Sequence, residues 1–252
     1  MKKTGVFVLA VLSMAACLSA QDKADKDSKV FSLCGSIAYG FGVGGQYIDA
    51  SITHTGPAIQ ERSDKYLNYG DGFKLELGGV YRLLENLDAQ GVLMYNFGTP
   101  EIEATDQDVQ NGDKVTNTYA TGTFGIKILA IPKVKVFDLL DIYVGFGMGI
   151  YFASLSWSNS ETPQYDGNYT TSPAIGFCGS IGVNYPVYND LIVYAEMAVE
   201  EMSFTVTSIL SAKDGSLTTF EQNSKASSGV FPPAKIPGSN VAFRVGAKFP
   251  VF

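Results

Sequence analysis

The chain has 252 residues, a formal net charge of -7, 17% charged and 12% aromatic side chains, and 27 glycines. That mixture is too apolar for a disordered chain and too glycine-rich for a helical one, and its acidic balance argues against nucleic acid as a partner. The length suits a single domain if that domain is a β-barrel or a sandwich.

Residues 1–20 read as a signal peptide: Lys2 and Lys3, an apolar run from Val6 to Ala16, then Cys17-Leu18-Ser19-Ala20 ahead of charged residues. The run is shorter than the roughly 20 apolar residues a spanning helix needs. Cleavage after Ala20 and export through the Sec pathway are expected, and Met14-Ala15-Ala16-Cys17 leaves lipidation at Cys17 as the alternative. Residues 21–29 form a polar segment, and 30–252 are the candidate barrel. The most apolar later stretch, Leu139 to Trp157, is interrupted by Asp141, Gly145, Gly147 and Gly149, so a membrane crossing must use strands. Cys34 and Cys178 are two lone thiols, expected as small buried residues rather than a disulfide framework.

Strands that separate lipid from a lumen place apolar residues at every second position, with small or polar ones between. Eight segments do so. Phe31, Leu33, Ile37, Tyr39 and Phe41 alternate with Ser32, Cys34, Ser36, Ala38 and Gly40, then Phe73, Leu75, Leu77, Tyr81 and Leu83 with Lys74, Glu76, Gly78 and Arg82. The third sets Leu87, Leu93, Tyr95 and Phe97 against Asp88, Gln90, Met94 and Asn96, and the fourth sets Phe124, Ile126 and Ile128 against Thr121, Thr123 and Lys127. The fifth runs from Leu140 to Phe152 with Asp141, Tyr143 and Tyr151 inward, and the sixth from Ala174 to Tyr185 with Cys178, Ser180 and Asn184 inward. The seventh turns Tyr194, Glu196, Ala198 and Glu200 inward, and the last turns Arg244, Gly246 and Lys248 inward.

The connections alternate as well. Tight links fall at Glu85-Asn86, Ile131 to Asp138 and Pro186 to Asp190, and long ones at Gly44 to Gly70, Gly98 to Thr118, Ser158 to Thr170 and Thr205 to Asn240. Short periplasmic turns and long external loops are the outer-membrane pattern, which puts both termini in the periplasm. Asn111-Gly112 and Asp214-Gly215 are hairpin signals, so two of the loops are expected to project as β-arms. The expected fold is therefore all-β, an eight-stranded antiparallel up-and-down transmembrane barrel, with ten strands as the alternative if the Asp214-Gly215 arm crosses the membrane.

Gly79-Val80-Tyr81 with Asn86-Leu87, Tyr143-Val144-Gly145-Phe146-Gly147, and Gly182-Val183-Asn184-Tyr185 followed by Asn189-Asp190-Leu191 and Glu196 resemble the small outer-membrane barrel superfamily that includes OmpA, OmpX and OmpW. The likeness covers most of the mature chain. It implies residence in the outer membrane of a diderm bacterium, with outer-membrane lipid and the barrel-assembly machinery as partners. Phe252 resembles the terminal aromatic residue that this machinery recognises, although Pro250 and Phe249 depart from the usual spacing. With no further domain, peptidoglycan anchoring of the OmpA type is not expected.

An eight-stranded barrel has an interior that side chains just fill, which argues against a general porin. The inward residues of the first strand are small, so long side chains from its two neighbours are expected to reach across. Glu76, Glu196 and Arg244 are placed near mid-barrel, Lys127 near Asp141, and Arg82 near Asp88, as an ion network that must be matched to be tolerated. Met94, Tyr143, Tyr151 and Tyr194 are candidates for an upper lumen pocket. The resemblance to OmpW implies passage of small hydrophobic compounds, against which the charged lumen weighs.

No strong catalytic, cofactor or metal motif occurs. His54, with Asp49 and Ser51, distantly resembles the loop residues of the lipid A palmitoyltransferases, a remote alternative. Asp106, Asp108, Asn111 and Asp113 form an acidic loop without the spacing of a calcium-binding hand. The expected role is non-catalytic: envelope integrity or contact with an extracellular ligand or host surface through long loops, with a narrow channel for small or hydrophobic solutes as the runner-up.

Overall fold

The computed structural model describes residues 31–98, 102–136, 140–161, 167–188, 191–211, 217–219 and 235–251. Alternation of small or polar with apolar residues produces strands throughout, in the order β1 (Phe31–Gly42), β2 (Gln46–Thr55), β3 (Ala58–Leu67), β4 (Gly72–Leu84), β5 (Leu87–Asn96), β6 (Ile102–Asp108), β7 (Lys114–Val136) and β8 (Leu140–Asn159). They continue as β9 (Gly167–Thr171), β10 (Ala174–Tyr188), β11 (Leu191–Glu201), β12 (Ser203–Ser211), β13 (Leu217–Thr219), β14 (Lys235–Pro237) and β15 (Asn240–Pro250).

A ring of 8 of these strands closes in the order β1, β4, β5, β7, β8, β10, β11, β15, each antiparallel to its neighbours. Ile37 pairs with Val245 on one side and Leu75 on the other, so the first and last strands seal the wall. Closure removes the open edges that a bilayer cannot satisfy. The face assignment follows from cost: Leu75, Leu77, Ile128, Phe146, Phe177 and Val245 are exposed on the outer wall, whereas Lys74, Glu76, Lys127 and Arg244 are buried inside. A register slip of one residue would send those charges into hydrocarbon, at about 2–4 kcal/mol for each cation near the midplane.

The remaining strands lie beyond one end of the ring. The hairpin β2–β3 joins the sheet through a parallel pairing of β2 with β6, which in turn pairs with the long outer half of β7. On the other flank β9 pairs with the outer half of β8, β12 with β9, and both β13 and β14 with β12. The barrel wall thus continues outward as an extension carried by the four long connections. Two differences from the sequence reading concern links. Residues Ile131 to Val136 belong to β7 and pair with β8, from Lys133 against Tyr143 to Val136 against Leu140. The first long connection is a ten-residue-stranded hairpin turning at Gly56, whose φ is 57°. The Asn111-Gly112 turn is present with Gly112 at φ 77°, and the Asp214-Gly215 turn lies outside the described residues, as do residues 1–30 with Cys17 and Ala20.

Candidate functional site

The lumen begins at β1, whose inward residues Cys34, Ser36, Ala38 and Gly40 fill little of it. Into that space Glu76 reaches from β4 and Arg244 from β15, the two strands that flank β1. Arg244 Nη2 donates to Glu76 Oε1 at 2.7 Å, and its Nη1 meets the Glu196 carboxylate. Lys127 Nζ donates to Glu76 Oε1 at 2.7 Å and to Glu200 Oε1 at 2.8 Å. Lys74 Nζ donates to Glu200 Oε2 at 2.7 Å and to Asn240 Oδ1 at 2.7 Å. Tyr143 donates its hydroxyl to Glu196 Oε2 at 2.7 Å, and Asn240 Nδ2 donates to Glu200 Oε2 at 3.2 Å.

Six charged side chains, three cationic and three anionic, therefore form one connected body across the barrel, with Lys74, Lys127 and Glu200 each about 1% exposed. Buried ions are tolerated only when paired and further hydrogen-bonded, and here every carboxylate has at least two partners.

This arrangement both contains and revises the expected site. Glu76, Glu196 and Arg244 do meet at mid-barrel. Lys127 does not meet Asp141: it sits between Glu76 and Glu200, while Asp141 lies half-buried and cross-strand to Asn184 and Lys135 near the end of the barrel opposite the extension. Strand tilt is the reason, because residues that are neighbours along a ladder climb around a barrel, so counting from the strand ends misplaces their axial level. Arg82 is opposite Asp88 in the ladder, yet its side chain is exposed at a register shift, and both Asp88 oxygens accept instead from Lys133 Nζ at 2.8 Å. The same tilt brings Lys74 and Glu200, both inward by alternation, into the network, where axial counting from the strand ends does not place them.

The four pocket candidates separate into two pairs. Tyr143 and Tyr194 flank Lys248 with ring centroids 4.8 and 5.0 Å from its Nζ, and this nitrogen donates to Asn184 Oδ1 at 2.9 Å. Met94 and Tyr151 lie on the outer side of the ionic layer, in an apolar cluster with Ile48, Leu67, Tyr69, Leu155, Phe204 and Ile236. The ion network stands between the pairs, so they form no common pocket. A smaller cluster of Val92, Leu129, Ile131, Tyr143 and Cys178 packs against the β5, β7, β8 and β10 wall.

The outer cluster is a roof. Its strand members come from β2, β3, β5, β6, β7, β8, β9, β10, β12 and β14, and Tyr69 meets Phe204 edge to face at 5.1 Å. Burial pushes the Tyr169 phenol, in the same roof, up to about 12. Ile236 is fully buried there, which places that part of the last connection over the barrel mouth, while Val230 to Pro233 lies outside the described residues. Asp49 ties the β2 hairpin to β7 by accepting from Asn117 Nδ2 at 2.8 Å and from the Tyr119 hydroxyl at 2.9 Å.

His54 is turned away from Asp49 and Ser51. Its Nδ1 is 2.8 Å from the Gly56 carbonyl and its Nε2 is 3.2 Å from Asp106 Oδ1. Asp108 Oδ1 accepts from the Gln110 backbone N–H at 2.9 Å and Oδ2 from Asn111 Nδ2 at 2.7 Å, and the Gln110 bond foremost holds this carboxyl below its ordinary range. Among the described residues no group of His, Cys, Asp and Glu side chains is arranged to hold a metal ion. Phe252 lies outside the described residues.

None of the curated proteins matches the chain. Among solved structures, Neisserial surface protein A is 12% identical over 89% of this chain and 98% of its own, with a TM-score of 0.47. Outer membrane protein AlkL, solved in DMPC bilayers, is 11% identical over 91% of this chain and 93% of its own, with a TM-score of 0.34. The family described as outer membrane protein beta-barrel domain matches residues 8–223. The chain belongs to that family, a small β-barrel of the outer membrane of a diderm bacterium.

Proposed function

We propose that the protein is a closed, non-catalytic barrel that anchors an ordered β-extension at the cell surface and serves envelope integrity or surface interaction through it. The observation that carries this reading is the six-residue ion network spanning the lumen under an apolar roof. Ions entering the lumen would have to displace paired charges, at several kcal/mol each, and hydrophobic solutes would have to cross the same layer. The long connections, on this reading, are held as sheet by Asp49, Tyr119 and the roof rather than left as mobile tethers, which preorganises a binding surface.

Two measurements test the reading. Refolded protein in planar bilayers should give no stepwise conductance, and steady conducting events from the wild type would favour the solute channel instead. A cysteine at Ser63, in the exposed face of β3, should react with a membrane-impermeant maleimide on intact cells. Absence of labelling would put the extension on the wrong side of the membrane.

A further inference from the structure

Among the described residues the sheet ends at β13 on one flank and at β3 on the other. Among the described residues β3 pairs only with β2, so its second edge carries unpaired backbone donors and acceptors along ten residues. An edge of that length is a template for another strand, and proteins ordinarily blunt such edges with charge. The charges here do not repel every partner. Read outward from Ser63, the strand carries Arg62 and Asp64, then Glu61 and Lys65, then Gln60 and Tyr66. The sequence is its own complement in charge under reversal.

We infer that the free edge of β3 pairs antiparallel with β3 of a second copy of this chain, about a two-fold axis at Ser63. In that register each Glu61 faces Lys65 of the other copy and each Arg62 faces its Asp64, four opposite-charge contacts from two distinct pairs. Residues directly opposite in an antiparallel pair share one face of the sheet, so the contacts are sterically direct. Within one copy Arg62 Nε donates to Asp64 Oδ1 at 2.8 Å, so the paired strands bring two such arginine–aspartate couples together as one cluster of alternating charge. Parallel, in-register pairing would instead set Glu61 on Glu61 and Arg62 on Arg62, which repels. Exposed Ile59 and Tyr66 at the two ends supply apolar area that the isolated molecule leaves in water.

The pairing has a geometric consequence. Since β3 prolongs the barrel wall through β2, β6 and β7, a two-fold that reverses β3 also reverses the barrel axis. Antiparallel pairing therefore joins copies seated in two apposed membranes, a homophilic contact. This rests on the reading of the extension as an interaction surface and supplies its partner.

The test uses the charge pattern against itself. Proteoliposomes carrying the refolded wild type should cluster in a light-scattering assay, and those carrying Glu61→Lys alone or Lys65→Glu alone should not, with the pair weakened about tenfold. Mixing Glu61→Lys vesicles with Lys65→Glu vesicles should restore clustering, because the two variants complement one another while each repels itself. Ser63→Cys should give a disulfide-linked dimer on mild oxidation, the native Cys34 and Cys178 being buried. Equal heat-modifiable migration on gels controls for folding of every variant. Clustering of the single variants at the wild-type level, or no recovery in the mixture, would overturn the pairing. If Ser63→Cys labels on cells but neither cross-links nor clusters, the homophilic contact fails and the surface reading stands; if it does not label, the surface reading itself fails.

Discussion

Arg244 and Glu76 meet at 2.7 Å although 168 residues and a whole strand, β1, separate them. The contact exists because Ser36 and Ala38 are too small to intervene, so the side chains of β4 and β15 span the strand between them. It also commits Arg244 to two acids at once, since the same guanidinium holds Glu196.

That double role makes the arginine costly to remove. Arg244→Met leaves Glu196 with a tyrosine hydroxyl alone and should destabilise the barrel by about 3–5 kcal/mol, read from urea unfolding in detergent. Adding Glu196→Gln restores charge balance, because Glu76 keeps Lys127, and should recover roughly half of the loss. Equal stability of the single and double variants would contradict the linkage.

The roof should be separable from the barrel. Phe204 is fully buried and packs edge to face on Tyr69. Phe204→Ala should open the β12 and β14 region to protease while heat-modifiable migration of the barrel persists, because the ring strands do not depend on that contact. The local cost is about 3–5 kcal/mol. Loss of barrel migration together with the roof would show one cooperative unit instead.

Close strand approach makes one glycine irreplaceable. A Cβ on Gly147 would fall on the backbone carbonyl of Ile128, the strand neighbour in β7, and backbone cannot move aside as a side-chain tip can. Gly147→Ala should cut refolding yield severely, whereas Gly91→Ala, where a Cβ meets open space, should refold as the wild type does.

Asp108 organises the tip between β6 and β7, and its carboxyl is held low by the Gln110 backbone N–H first. A lowered folded value means the contribution is present above the ordinary carboxylate range near pH 4 and is lost as pH falls through the folded value. Protease resistance of this tip should be flat from pH 5 to about 8 and should fall below roughly pH 4. Asp108→Asn, which keeps an acceptor for Gln110, should remove the acid step, and Asp108→Ala should loosen the tip at every pH. The test is made in a His54→Gln background, so that the neighbouring imidazole contributes no charge change of its own.

Alternation made the eight ring strands legible because lipid and lumen impose opposite demands on successive residues. It also separated Lys74, Glu76, Lys127, Glu200 and Arg244 from the outer wall. It could not say which of them share a level. That depends on the stagger by which the sheet closes, a property of all the registers together, and so alternation alone sets Lys127 near Asp141 instead of Glu200. The extension was only partly legible: Asn111-Gly112 announces its turn, whereas β2 and β3 mix polarity on both faces and turn at Gly56-Pro57, so neither period nor turn chemistry marks them. Lys133 was hidden by its place beyond Pro132, in a stretch that reads as a link and is strand.

The network's formal charges sum to zero, and this decides how it responds to voltage. A potential across the membrane acts on a mobile group by about 2.3 kcal/mol per elementary charge for each 100 mV. Three cations locked to three anions present no net charge for a Donnan or diffusion potential to drive as a body. A field across the membrane therefore acts on this network only through the separation of its charges along the barrel axis.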